Sequence, residues 1–197
     1  MALLKAGRGG GGGNKYMGIC PIGIVSFQDK SDEYKWADIY LDVTIKQEDS
    51  DYTKSIQLAG SLDRDPAGDV IDCSVVRKVN VFFDGIGETA GINIQGEWES
   101  EDGEIIPDIT EYLNEKYAKA EPEFNLLAYV FKGALKKGQE KPYVRVYHKV
   151  MLNTPANKTK LEEDIAWRKS KGYIKEYDPT TSADGDTELA GAGLYNL

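Results

Sequence analysis

Histidine is almost missing from this chain of 197 residues: His148 stands alone. A Ser-His or Cys-His nucleophile has a single imidazole to draw on and no accompanying motif, so no catalysis is expected. Cysteine is nearly as scarce. Cys20 and Cys73 sit in no paired spacing and, with one histidine, complete a zinc set only if carboxylates join them. They are expected as reduced core thiols in a cytoplasmic setting, a disulfide being the minority alternative. No cofactor is implied. Long apolar runs are absent too, and a membrane helix needs roughly 20 such residues. The opening Met1-Ala2-Leu3-Leu4-Lys5-Ala6-Gly7-Arg8 lacks the apolar stretch of an export signal, so neither membrane insertion nor secretion is expected.

Positive charge is in short supply overall, with 24 Lys and Arg against 33 Asp and Glu. Its placement matters more than its sum. Residues 130–175 hold 12 basic residues and 4 acidic ones, whereas the last 22 residues hold five acids and no base. Screening confines each patch to roughly 8–10 Å, so a basic block inside an acidic chain still attracts phosphate. Glycine is concentrated at the ends, with five in the run Gly9 to Gly13. This divides the chain into a flexible arm (1–15), a folded domain (16–177) and a flexible acidic tail (178–197).

Inside the domain, Tyr16 to Phe27 reads as a bent strand. Lys35 to Lys46 alternates with period two: Ala37, Ile39, Leu41, Val43 and Ile45 on one face, Trp36, Asp38, Tyr40, Asp42 and Thr44 on the other. A third strand spans Tyr52 to Leu62. Val75, Val79, Phe82, Phe83 and Ile86 then recur at helical spacing, predicting a helix over 74–84, capped by Ser74 or Asp72 and ended by Gly85. A short strand over Gly91 to Glu99 and a helix after Asp108 follow. Phe124 to Leu135 and Lys141 to Leu152 form a hairpin, and a last helix opens at Thr154-Pro155 and closes at Gly172. Three strands, a helix, then more strands is the order of a five-stranded, partly open Greek-key barrel of the OB type; the fold class is mainly β with added helices.

Chemistry concentrates on one strand. Tyr143, Arg145, Tyr147 and Lys149 share a face, opposite Val144, Val146, His148 and Val150. Alternating rings and cations offer stacking surfaces for bases and charges for the phosphates between them. Lys132, Lys136, Lys137 and Lys141 surround the adjoining turn, and Trp36 and Tyr40 supply further rings on the second strand. On this reading Tyr147→Ala weakens binding with little change in melting temperature. The plainer alternative is a solvated strand face with lysines in a turn. Gly85-Ile86-Gly87-Glu88-Thr89-Ala90-Gly91 has the wrong spacing for a dinucleotide loop and reads as a turn. Asp63, Asp65, Asp69 and Asp72 match no established cation loop and read as a solvated turn, leaving a metal-dependent phosphodiesterase as a minor rival.

The segments Lys35-Trp36-Ala37-Asp38-Ile39-Tyr40-Leu41-Asp42-Val43, Ala59-Gly60-Ser61-Leu62-Asp63-Arg64-Asp65 and Lys141-Pro142-Tyr143-Val144-Arg145-Val146 resemble those of the small single-stranded DNA-binding proteins encoded by bacteriophages. The resemblance implies an OB-type barrel that coats single-stranded DNA without sequence preference during replication or recombination in the host cytoplasm. It also implies replication or recombination proteins met through the acidic tail, and possible self-association. The tail departs from that pattern: its acids are spaced and it ends Leu194-Tyr195-Asn196-Leu197. A non-catalytic structural or adaptor protein, of viral or other origin, that acts through protein-protein contacts is the alternative.

Overall fold

The computed structural model describes residues 17–136 and 138–179. The expected arm (1–15) and nearly all of the expected tail (178–197) therefore lie outside the described residues. Five strands form one antiparallel sheet: β1 (Gly18–Asp29), β2 (Ile39–Gln47), β3 (Thr53–Gly60), β6 (Leu126–Lys132) and β7 (Val144–Leu152), in the order β3-β2-β1-β6-β7. Three helices accompany it: α1 (Ser74–Ile86), α2 (Ile109–Tyr117) and α3 (Pro155–Ser170). The fold is thus mainly β with added helices. The outer strands β3 and β7 approach each other, and α1 packs against both. No hydrogen-bonded ladder closes the sheet between them among the described residues.

The alternation of the second strand sets which of its residues face the main core, although Tyr40 and Asp42 on the other face are buried as well. Ile39, Leu41, Val43 and Ile45 point inward with Ile56 and Leu58 of β3, and the ladder runs without slippage from Ile39↔Gly60 to Lys46↔Thr53. β1 serves two neighbours, its first half pairing β6 (Gly18↔Val130 to Ile22↔Leu126) and the rest pairing β2. Beyond Ile22 one edge of β1 has no strand beside it, and α2 covers that edge. Asn114 stands in for a strand there: the Phe27 amide donates to its Oδ1 (2.8 Å), and its Nδ2 donates to the Phe27 carbonyl (2.9 Å).

The main core joins this inner face to Val79, Phe82 and Phe83 of α1 and Ile109 and Leu113 of α2. Each such side chain contributes about 1.5–3 kcal/mol on full burial. The α1 helix runs longer than its spacing predicts. Cys73, not Ser74 or Asp72, holds the N-cap position, with no side-chain bond to the helix amides; Asp72 instead pairs with Arg77. Gly87, at φ 77°, ends the helix in place of Gly85. Gly85 is inside it, pressed against β7. The expected strand over 91–99 is two short ones, β4 (Gly91–Ile92) and β5 (Trp98–Glu99), because Asn93 folds the chain between them by accepting the Gln95 and Glu97 amides.

A second, smaller cluster lies on the outer face of β6 and β7. Leu127, Tyr129 and Tyr147 pack there beneath Leu161 and Ile165 of α3 and Ile174. The helix is capped as expected, Thr154 accepting from the Asn157 amide and Pro155 leading. Among the described residues, no helix is long and apolar enough to cross a membrane.

Candidate nucleic-acid interface

The β6–β7 ribbon extends past the end of β1, and its projecting end carries the cations. Lys132 and Arg145 leave it on opposite faces, since Phe131 pairs with Arg145 and Lys132 with Val144. The Arg145 side chain lies across the backbone of Gly133, where an added Cβ would stand 2.5 Å from its Nε. Tyr143, just before β7, is 65% exposed, and its carbonyl accepts from the Gly133 amide (2.9 Å). Lys136 and Lys141 are exposed on the connecting turn. Lys132, Lys136, Lys141 and Arg145 form no ion pair among the described residues, so their charge faces solvent uncompensated. Lys137 lies outside the described residues.

Two members of the predicted face are not available. Tyr147 is 7% exposed, in the cluster beneath α3, with Arg168 5.2 Å from its ring centre. Its hydroxyl finds no hydrogen-bond partner among the described residues. Lys149 is spent on Asp164 (3.2 Å), which also binds Arg168 Nε (3.2 Å). Parity is not at fault: Val146 and Val150 do face the core. The register shifts within β7, where Tyr147, His148 and Lys149 together oppose Tyr129. The apolar side of α3 has to be buried somewhere, and it takes the face that Tyr147 and Lys149 occupy. Tyr147→Ala therefore removes core volume, and the expectation of an unchanged melting temperature is corrected.

The rings near the second strand divide similarly. Trp36 lies in the turn before β2 and is 55% exposed, whereas Tyr40 is buried against Ala37 and Ala59. Tyr34, which no sequence pattern singles out, stacks on Tyr40 at 4.4 Å and touches Trp36 at 6.3 Å. The neighbouring acids are engaged in structure. Asp38 accepts from the Leu62 amide (2.7 Å), and Asp42 binds Ser55 and Lys30. The exposed aromatic surface here is Trp36 with part of Tyr34.

Other candidates resolve into structural roles. His148 is held well below its ordinary value of 6.5, to about 4, by burial first and then by Lys78 and Arg168. Glu88, in the glycine-rich turn, has a fully buried carboxylate accepting from the Thr89 and Ala90 amides (2.8 and 2.9 Å), Tyr112 (3.2 Å) and Lys116 (2.9 Å). Burial alone would raise its pKa; the Ala90 amide and Lys116 outweigh that and hold it low. Asp65 folds its own loop by accepting from the Ala67 and Asp69 amides. Among the described residues, no group of three or more His, Cys, Asp or Glu is arranged to hold a metal ion. Both cysteines are free thiols, Cys73 buried and Cys20 half-buried.

One basic residue was missed. Lys175 is carried beside Ala134, its carbonyl accepting the Ala134 amide (3.0 Å), where the segment after α3 pairs with the end of β6 (Gly133↔Glu176). Nothing in its local sequence signals this, because the pairing spans some forty residues. No protein-family model, curated protein or solved structure matches the chain.

Proposed function

We propose that the chain binds single-stranded DNA without sequence preference and without catalysing a reaction, through the projecting end of the β6–β7 ribbon. The observation that carries this reading is that four exposed, unpaired cations, Lys132, Lys136, Lys141 and Arg145, lie at the same projecting end of the ribbon as the exposed ring of Tyr143. Lys30, Lys116, Lys119, Lys149 and Lys169 each have an acidic partner, and these four cations have none among the described residues. Phosphates supply the missing counter-charge, and a base stacks on Tyr143 for roughly 1–3 kcal/mol.

The strand order supports the reading as well. The order β3-β2-β1-β6-β7, with α1 following the third strand and β3 near β7, is compatible with the order of neighbours in an OB-type Greek-key barrel. On that reading the β6–β7 loop corresponds to one of the loops that flank the groove in such barrels. The resemblance to phage single-stranded DNA-binding proteins extends the proposal to a role in replication or recombination in a host cytoplasm.

Fluorescence anisotropy with labelled oligo-dT at low salt tests it. Saturable binding is expected, weakened by Lys141→Ala and Arg145→Ala together at unchanged melting temperature. No binding at low salt would overturn the proposal in favour of the protein adaptor.

A further inference from the structure

Beyond the ribbon, α3 ends in two large rings that its packing does not require. Trp167 is two residues past the buried Ile165, hence about 200° further round the helix and turned away from the sheet. It is 46% exposed, and Tyr173, beyond the helix end, is 36% exposed; their ring centres are 5.7 Å apart. The helix closes by a Schellman arrangement: Gly172 sits at φ 73°, its amide donates to the Lys169 carbonyl (3.0 Å), and the Tyr173 amide donates to the Arg168 carbonyl (2.9 Å). That motif calls for an apolar contact between these two positions, which explains why the rings touch. It does not call for two half-exposed aromatics with free lysines beside them. Lys171 and Lys175 are both exposed and form no ion pair among the described residues.

The corner is tied to the proposed interface. Where β1 stops pairing, at Gly18↔Val130, the residues after α3 take the vacant edge of β6. The Tyr177 amide donates to the Lys132 carbonyl (2.8 Å), and the Ala134 amide to the Lys175 carbonyl. Tyr143, Gly133 and Glu176 therefore stand in a row across three neighbouring lines of backbone, spanning about 10 Å at ordinary strand spacing. Glu176 puts an acid in that row, but its carboxylate is engaged by Lys169 (2.9 Å) and the Tyr129 hydroxyl.

From this continuity, and resting on the reading of the ribbon as a single-strand interface, we infer that Trp167 and Tyr173 form a second stacking station, with Lys171 and Lys175 holding the intervening phosphates. A strand bound at Tyr143 continues over the end of β6 onto this corner. Short oligonucleotides reach only the ribbon; longer ones engage both stations.

The test compares oligo-dT of about 6 and about 20 nucleotides on the full chain. Trp167→Ala weakens binding of the longer strand about five- to tenfold, in the lower part of the range for one stacked base, and leaves the shorter one within about twofold. Lys171→Gln with Lys175→Gln also weakens binding of the longer strand while keeping both rings and the backbone bonds of the helix end, which guards against a folding defect in the first variant. In the wild type, the longer strand quenches Trp167 fluorescence more than the shorter one does, judged against Trp167→Phe. If both sets of variants bind the long strand as the wild type does, while Lys141→Ala with Arg145→Ala weakens it, the second station is wrong and the ribbon reading stands. If the wild type binds neither oligonucleotide, both fail together.

Discussion

Gly85→Ala sets two known effects against each other and asks which wins. In an exposed helix, alanine at this position gains about 1 kcal/mol over glycine. Here the added Cβ would stand 2.2 Å from the Val150 carbonyl oxygen and 2.8 Å from Val150 Cγ2. The obstacle is strand backbone, so no side-chain rotation relieves it; α1 has to retreat from β7 by most of an ångström. Overpacking costs about 1–3 kcal/mol and occasionally more; a backbone contact this short belongs at the upper end, and the retreat also loosens Phe82 and Phe83 against the sheet, so about 2–4 kcal/mol stands against the roughly 1 kcal/mol gained. The net expectation is a loss of about 1–3 kcal/mol, which for a chain of this size lowers the melting temperature by roughly 2–12 °C. Differential scanning calorimetry measures it directly. A neutral or stabilised variant would refute the close seating of α1 across β7, and with it the packing that brings β3 and β7 together.

Tyr147→Ala is expected to cost about 3–5 kcal/mol, as for other buried aromatics, while Tyr147→Phe stays within about 1 kcal/mol of the wild type, because the lost hydroxyl has no partner; urea titration checks both, and a fully stable alanine variant contradicts the burial beneath α3. Glu88→Gln keeps the shape but removes the charge shared with Lys116, costing about 1–3 kcal/mol, and a melting temperature equal to that of the wild type would show the network to be idle. His148 gives an acid-sensitive contribution. Its folded pKa, about 4, lies below the unfolded 6.5, so its share of stability is complete above pH 6.5 and declines as pH falls toward 4, by up to about 3 kcal/mol. Lys78 from α1, Arg168 and Asp164 from α3, and Lys149 beside it on β7 surround the ring. His148→Gln flattens the urea midpoint over that window; an unaltered pH profile counts against the assignment.

Local rules served this chain well wherever one stretch of sequence decides its own structure. The alternation of Ile39 to Ile45, the Thr154-Pro155 start of α3 and its Gly172 end are each set by neighbouring residues, and each is found in place. Gly85 was misread as a helix end for a reason no local rule contains: its missing side chain makes room for β7, some sixty-five residues away. Alternation on β7 separated the two faces correctly, yet it held nothing about what covers each. Tyr147 and Arg145 carry the same signature in sequence, and only the position of α3 makes one core and the other surface. The exposed cations of the ribbon were legible because turns rarely bury lysine; Lys175 was not, because its neighbour is Ala134 on a distant strand.

The salt dependence of oligo-dT binding tests the central claim most directly. For an oligo-dT of about 6 nucleotides, which reaches only the ribbon, four phosphate contacts through Lys132, Lys136, Lys141 and Arg145 predict a slope of log K against log salt near −3, or about a 50-fold loss of affinity between 50 and 200 mM, reduced to a slope near −1 when Lys132, Lys141 and Arg145 are replaced by alanine. A binding constant indifferent to salt, or a slope that the triple replacement leaves as steep as before, would contradict the assignment of the ribbon as the interface.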